Sequence, residues 1–242
     1  MNMSLLSSRK HDPEYIDLPP ETYSPSEIAG NLADLRKVNR YLGENHTILK
    51  LFSDLVSDIA VSRNRPIRVL DVATGSADIP VAIVKWARKH GKDVVVTAVD
   101  INPLAVREAA SFAQWYPNIT VAVADGLSLP FDDGSFDIVL CTKTLHHFSE
   151  EDAVNLLKEM GRVAAVGYII TDVRRNWVVW TLICILTRLF ARNRLTRHDG
   201  PLSVSRSYTD AELGALAEKA GLVGYMVLRG PFWLMVLTGR KA

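Results

Sequence analysis

Ile67-Arg68-Val69-Leu70-Asp71-Val72-Ala73-Thr74-Gly75-Ser76-Ala77-Asp78-Ile79 joins a short apolar run, a loop of small residues and the start of a helical pattern. The run from Ile67 to Val72 is too short for an ordinary helix, and its near-continuous apolarity predicts a strand buried on both faces of a parallel sheet. A helix follows from Ile79 to His90 and is closed by Gly91. Small residues in the loop let the backbone approach a ligand closely. The free N–H groups of the helix start favour a carboxylate or phosphate.

The same alternation continues outward. Val94 to Val99 reads as a second strand ending in Asp100, and Asn102 caps a helix with Pro103 at its first position, running to about Trp115. Ile119 to Ala124 ends in Asp125, Phe136 to Cys141 is a fourth strand, Glu150 to Met160 a helix, and Val166 to Thr171 a fifth strand before Asp172. A helix from Thr209 to Ala220 precedes two strands, Leu222 to Leu228 and Phe232 to Thr238, whose three-residue link permits only an antiparallel pair. The expected fold is α/β: a doubly wound, mostly parallel, seven-stranded Rossmann-like sheet with a C-terminal antiparallel hairpin.

Three segments flank this frame. Residues 1–25, with Pro13, Pro19, Pro20 and Pro25, read as an extended arm, disordered until something covers it. Residues 26–63 read as a helical cap: Ser26 caps a first helix that stops at Gly43, and a second ends near Arg63. Residues 64–242 form the binding domain, with a helical insert over 172–208 after the fifth strand. Trp177 to Leu186 is apolar nearly all round and too short for the roughly 20 residues that cross a bilayer. Such a helix is buried, lids an apolar ligand, or lies on a membrane surface through residues 176–198.

With Lys+Arg 28 and Asp+Glu 27, the formal charge is +1, which lacks the broad basic footprint of a nucleic-acid partner. Two cysteines without metal-type spacing predict neither a disulfide framework nor a Cys-based zinc site, and no metal is expected. Met1 to Lys10 has no apolar signal core, so a cytoplasmic location is expected.

Asp71, Asp100, Asp125 and Asp172 stand at or just after strand carboxyl ends, where ligands bind in open α/β sheets. A nicotinamide fingerprint would place glycine at 73, 75 and 78; only Gly75 is present, and Asp71 and Asp78 would repel a pyrophosphate. A cofactor with a cationic centre, a carboxylate and an amine suits the loop better. Asp100 can accept from both hydroxyls of a ribose.

Val69 through Asp78, Ala98-Val99-Asp100-Ile101-Asn102-Pro103, Ala124-Asp125-Gly126-Leu127-Ser128-Leu129-Pro130-Phe131 and Phe136-Asp137-Ile138-Val139 with Leu145-His146-His147-Phe148 carry a family likeness. Over residues 66–172 the chain resembles class I S-adenosylmethionine (SAM)-dependent methyltransferases, nearest to the quinone-biosynthesis type and its small-molecule O- and C-methylating relatives. The resemblance implies SAM as cofactor and S-adenosylhomocysteine (SAH) as product. It places Asp71, Ala73, Thr74 and Gly75 at the methionine end, Asp100 with Asn102 at the ribose, and Ile101 on the adenine. Asp125 with Gly126 and Leu127 would meet the adenine amino group, and Thr142 would floor the sulfonium. Ala73 and Ala77 stand where the family usually has glycine; alanine is tolerated wherever φ stays negative, and retained binding is expected.

His146 is the candidate base for a phenol or hydroxyl, with Asp172 as its orienter, and His147 turns inward to brace Phe148. The bland alternative is that these histidines only brace their loop. Arg36 and Arg40 on the cap, and Arg174, Trp177, Trp180 and Arg197 on the insert, are the candidate substrate contacts. The expected reaction is methyl transfer to a hydroxyl or ring carbon of a small, largely apolar aromatic, phenolic or quinone-like acceptor. The rivals are a non-catalytic SAM-fold protein that binds a partner or membrane, and a nicotinamide-dependent oxidoreductase.

Overall fold

The computed structural model describes residues 6–59 and 65–241. Among them, seven strands form one sheet: β1 (Ile67–Val72), β2 (Val94–Asp100), β3 (Ile119–Val123), β4 (Phe136–Thr142), β5 (Ala164–Val173), β6 (Tyr225–Arg229) and β7 (Leu234–Arg240). Their order is β3-β2-β1-β4-β5-β7-β6. The first five run parallel, and β7 pairs antiparallel with both β5 and β6. The chain therefore winds one way from β1 to β2 and the other way to β4. The carboxyl ends of β1 and β4 flank the switch point, where such sheets bind ligands.

Alternation along the strands builds two cores. Leu70 and Val72 face Leu156, Leu157 and Met160 of α5 (Glu150–Val163) and Leu213 of α8 (Asp210–Lys219). Val69, Ile138 and Ile169 face Phe52 of α2 (Glu44–Ile59) and Ile83 of α3 (Asp78–Lys89). Gly167 is required where β5 meets β7, because a Cβ there would stand 2.7 Å from the Gly239 carbonyl oxygen.

Several boundaries differ from the sequence reading. β7 begins at Leu234 rather than Phe232, because its pairing starts where Leu234 meets Val173 of the longer β5. In α1 (Pro25–Tyr41) the cap is Ser24, not Ser26. Ser24 Oγ accepts the Glu27 N–H at 3.2 Å and Glu27 returns to the Ser24 N–H at 2.8 Å, a reciprocal pair that places Pro25 at the first helical position. The expected end of the second helix near Arg63 lies outside the described residues.

The insert is two helices rather than one, α6 (Trp177–Phe190) and α7 (Arg194–Arg206). Asn193 restarts the chain by accepting the Leu195 N–H at 2.8 Å. The described part of the arm packs on α7. It makes 3-10 turns at Tyr15–Asp17 and Pro20–Thr22. α7 satisfies its backbone: Asp199 accepts the N–H groups of Tyr15 and Ile16 at 2.8 and 3.3 Å, and Tyr15 stacks on His198 with centroids 3.7 Å apart.

Lys143, just after β4, fastens the cap to the sheet. Its ammonium donates to Asn39 of α1 and forms an ion pair with Glu44 of α2. Glu44 also accepts from Thr171 of β5 at 2.7 Å, and Asn39 donates to Asp78 of α3 at 3.0 Å. Removing one partner leaves the other charge buried. Glu44→Ala or Lys143→Met is therefore expected to cost about 3–5 kcal/mol and lower Tm by roughly 6–20 °C. The double variant Glu44→Ala/Lys143→Met should recover most of that loss; additive losses in a thermal-unfolding cycle would show that the pair is not coupled.

Candidate active site

β1 delivers Asp71 and Val72 into a loop that turns left-handed at alternate residues: φ is +55° at Ala73, Gly75 and Ala77. The expectation of negative φ at the two alanines is thus wrong at both positions. The turn is imposed from outside, because Thr74 N–H reaches the Val99 carbonyl at 2.9 Å and Gly75 N–H reaches Asp100 Oδ2 at 2.9 Å. Each alanine bears the left-handed penalty of about 1–2 kcal/mol that glycine would avoid.

The loop leaves two groups of opposite character unsatisfied. Asp71 is buried; its Oδ2 accepts from Thr74 Oγ1 at 2.6 Å, while Oδ1 has no hydrogen-bond partner among the described residues. Burial, reinforced by the carboxylates of Asp78 and Asp100, pushes its pKa up to about 7. Arg36 of α1 lies over the Phe112 ring at 4.7 Å, and its buried Nη1 also lacks a partner. Leu32, one turn before it, lies 3.3 Å from where a Gly75 Cβ would stand. A lone acceptor and a lone cationic donor beside one loop fit a ligand end with both an ammonium and a carboxylate, as the methionine portion of SAM has.

Asp100 accepts from Gly75 N–H and from Asn102 N–H, both at 2.9 Å, and keeps lone pairs free for hydroxyls. Asn102 caps α4 (Pro103–Ala113) through the Leu104 N–H at 2.9 Å and donates to Tyr23 Oη at 3.1 Å, so its side chain is already engaged. Ile101 is 65% exposed, free to cover a flat ring. Asp125 is exposed and accepts the Leu127 N–H at 2.9 Å. Gly126 has a packing role: a Cβ would stand 3.0 Å from both Val72 and Leu156. Thr142 ends β4, half-buried, its carbonyl held by Thr144 Oγ1 at 2.9 Å.

The histidines follow β4 in a 3-10 turn, Leu145–His147. His146 Nδ1 meets Asp172 Oδ1 at 2.7 Å and its backbone N–H donates to Asp172 Oδ2 at 3.0 Å, so the expected orienting contact forms. Charge and hydrogen bonding from His146 hold Asp172 below the usual carboxylate range despite its burial. The other nitrogen does not face an open crevice. His146 is 3% exposed and its Nε2 lies 3.5 Å from Glu14 Oε1 on the arm. His147 does not turn inward to brace Phe148; its Nδ1 meets Asp17 Oδ1 at 2.6 Å, and its Nε2 lies 4.0 Å from Glu14 Oε2.

Glu14, Asp17, Arg9 and Arg206 were missed by the sequence reading. Arg206 donates to the carbonyls of His146 at 3.1 Å, His147 at 2.8 Å and Asp12 at 3.1 Å, and to Asp17. Arg9 donates to the carbonyls of His146 at 3.0 Å and Phe148 at 2.6 Å. An arm without hydrophobic period offers no local signal for these contacts.

The substrate candidates separate. Arg36 stacks on Phe112 with its charge felt by Asp78 at the end of the loop, and Trp180 packs against Val173, Val179, Val204 and Trp233. Arg40 is exposed beside Tyr41, Trp177 is 59% exposed, and Arg197 is exposed with its guanidinium on the Arg188 carbonyl at 3.1 Å. Arg174 is half-buried, and its backbone N–H donates to the Trp233 carbonyl at 2.9 Å. The arginine that is fully engaged is its neighbour Arg175, with Ser207 and Glu212.

Because the loop already holds left-handed alanines, Ala73→Gly and Ala77→Gly are expected to keep or raise Tm, whereas Ala73→Val should lower it. Equal losses in all three, read by thermal unfolding, would show that the loop does not hold these torsions in solution.

Residues 69–167 match a family model described as a methyltransferase domain. The ubiquinone/menaquinone biosynthesis C-methyltransferase of Rickettsia felis is 32% identical over 108 residues, which cover 41% of this chain and 44% of the relative. The chain thus spans under half the length of the curated relatives it matches. A SAM-dependent methyltransferase from Aquifex aeolicus superposes with a TM-score of 0.61 at 20% identity, covering 91% of this chain and 100% of that one. Magnesium protoporphyrin IX methyltransferase from Synechocystis, solved with SAH bound, gives 0.55 at 19% identity over 83% and 84% of the two chains. At such identities these structures speak for the fold. The sequence match shows a methyltransferase domain over residues 69–167, similar over part of the chain to the quinone-biosynthesis C-methyltransferases, on a fold shared with SAM-dependent methyltransferases.

Proposed function

We propose that the chain transfers a methyl group from SAM to a hydroxyl or ring carbon of a small, largely apolar aromatic, phenolic or quinone-like acceptor. The observation that carries this reading is the pair of buried, unpartnered groups at the β1 loop, Asp71 Oδ1 and Arg36 Nη1. SAM, when bound, supplies a methyl group on a positively charged sulfur. Asp71 and Arg36 would take its ammonium and carboxylate, with the backbone of Ala73, Thr74 and Gly75 close against them. Asp100 would hold the ribose, Ile101 and Leu127 would enclose the adenine, and Thr142 would stand near the sulfur.

The acceptor end is assigned to His146 and His147, each with Nδ1 engaged by a carboxylate. Asp172 and Asp17 set which nitrogen each ring presents, and the arm over them keeps water from the reacting atoms. The relative's part in ubiquinone and menaquinone biosynthesis supports an apolar ring acceptor. So does α6, which leaves Trp177, Val178, Leu182, Ile185, Leu189 and Phe190 exposed. No helix among the described residues is long and apolar enough to cross a membrane. With Arg188 and Arg192 nearby, the α6 face suits peripheral contact with an anionic bilayer from which a lipophilic acceptor could be drawn.

SAH at about 100 times its Kd should stabilise the chain by roughly 2.7 kcal/mol, a shift of about 5–10 °C, while NADH gives none. A shift with NADH instead would overturn the reading, and SAH binding without methyl transfer to any phenol or quinol would reduce it to a binding protein. The pH dependence has a definite sign. The Asp71 pKa is raised to about 7, so the folded state holds that proton more tightly than the unfolded state; its stabilising contribution is full below 3.8 and lost as pH rises through 7. An incoming ammonium needs the ionised form. SAH affinity should therefore climb between pH 5 and 8, and Asp71→Asn should flatten the profile in a calorimetric titration.

A further inference from the structure

We propose that Glu14, His146 and His147 form a binding site for one divalent transition cation of the Zn2+ type. Their ligand atoms, one from each residue, all lie within 4.8 Å of one another. His146 Nε2 stands 3.5 Å from Glu14 Oε1, His147 Nε2 stands 4.0 Å from Glu14 Oε2, and the two rings are 4.2 Å apart. Tetrahedral bonds of about 2.0–2.1 Å set ligand atoms roughly 3.3 Å apart, so small side-chain rotations close the site.

Three features distinguish the cluster from an ordinary ionic network. Both histidines direct Nδ1 to a carboxylate, Asp172 at 2.7 Å and Asp17 at 2.6 Å, which leaves both Nε2 atoms turned toward the same glutamate. That carboxylate–histidine arrangement fixes tautomer and ring orientation in metal sites. Glu14 is 2% exposed, yet its Oε1 accepts no hydrogen bond among the described residues. The nearby guanidinium does not meet that need: Arg206 Nε is 4.0 Å from Oε1, and its N–H groups are directed to the carbonyls of Asp12, His146 and His147 and to Asp17.

Two imidazoles and one carboxylate suit Zn2+, Fe2+ or Co2+ better than Mg2+ or Ca2+, which prefer all-oxygen shells. Three protein ligands leave a fourth coordination position to a small ligand such as water. The site stands at the carboxyl ends of β4 and β5, and the arm that brings Glu14 also brings Tyr23 to Asn102, beside Asp100. Expecting no metal overlooked this possibility, because Glu14 comes from the arm, more than 130 residues before the two histidines. The inference rests on the cluster's geometry and stands apart from the methyl-transfer reading.

The test is calorimetric titration of chelator-treated full-length chain with Zn2+, with Co2+ absorption as an independent signature of the coordination shell. One ion per chain is expected. Glu14→Gln and His147→Ala should abolish tight binding, Asp17→Asn should weaken it by roughly 10–100-fold, and the remote His90→Ala should leave it unchanged. Binding that survives Glu14→Gln, or no stoichiometric binding at all, would overturn the site. The SAH-induced thermal shift, measured on each variant, separates the outcomes: cation binding without an SAH shift sinks the cofactor reading alone. An SAH shift retained in a wild-type chain that binds no Zn2+ sinks the cation site alone.

Discussion

Burial of the central strands on both faces is the constraint from which the other features follow. β1, β4 and β5 are covered by helices on each side, so the backbone can expose chemistry only where the strands end. Asp71 and Asp172 stand at two of those ends and are themselves buried. A buried carboxylate must be paired, hydrogen-bonded or protonated. Asp172 meets the demand with His146, whereas Asp71 meets half of it with Thr74 and is left short by one oxygen. That difference leaves one carboxylate engaged in holding the histidine turn and the other with an unpaired oxygen.

The layers above the sheet are organised by the same need to satisfy buried polar groups. Lys143 projects into the cap and draws Asn39 and Glu44 to it, which ties α1, α2 and the strand ends into one unit. Arg206 does the corresponding work on the other side, holding the histidine turn and the arm through four acceptors. The arm has little apolar burial of its own beyond Tyr23 and partly buried Tyr15 and Ile16, so its order derives from hydrogen bonds to α7 and the histidine turn. It brings an otherwise costly buried glutamate, Glu14, against two imidazoles.

Legibility in the sequence followed the range of the interactions. The β1 loop, Asp100, the Asn102 cap and the antiparallel hairpin could be read because each depends on residues adjacent in the chain or on a strand period. The Ser24 cap was misplaced by two residues, since Ser26 is an equally good capping residue by type and Pro25 was read as part of the arm. The torsions at Ala73 and Ala77 were misjudged because the strain comes from hydrogen bonds to Val99 and Asp100, a full strand away. α6 was identified by its apolar run, but its partners were not, since composition does not say which face of a helix meets protein.

By itself the sequence determined the sheet, the position of its carboxylates and the small-residue loop after β1, because periodicity, small-residue loops and caps are local physics. Only the tertiary structure decided which groups meet over the crevice. Glu14 and Asp17 reach His146 and His147 across more than 120 residues, Arg206 closes the same cluster from α7, and Lys143 finds Glu44 across 99 positions. Such contacts are chosen by the desolvation cost of buried charge, which acts on whatever the fold brings within reach and leaves no period in the chain.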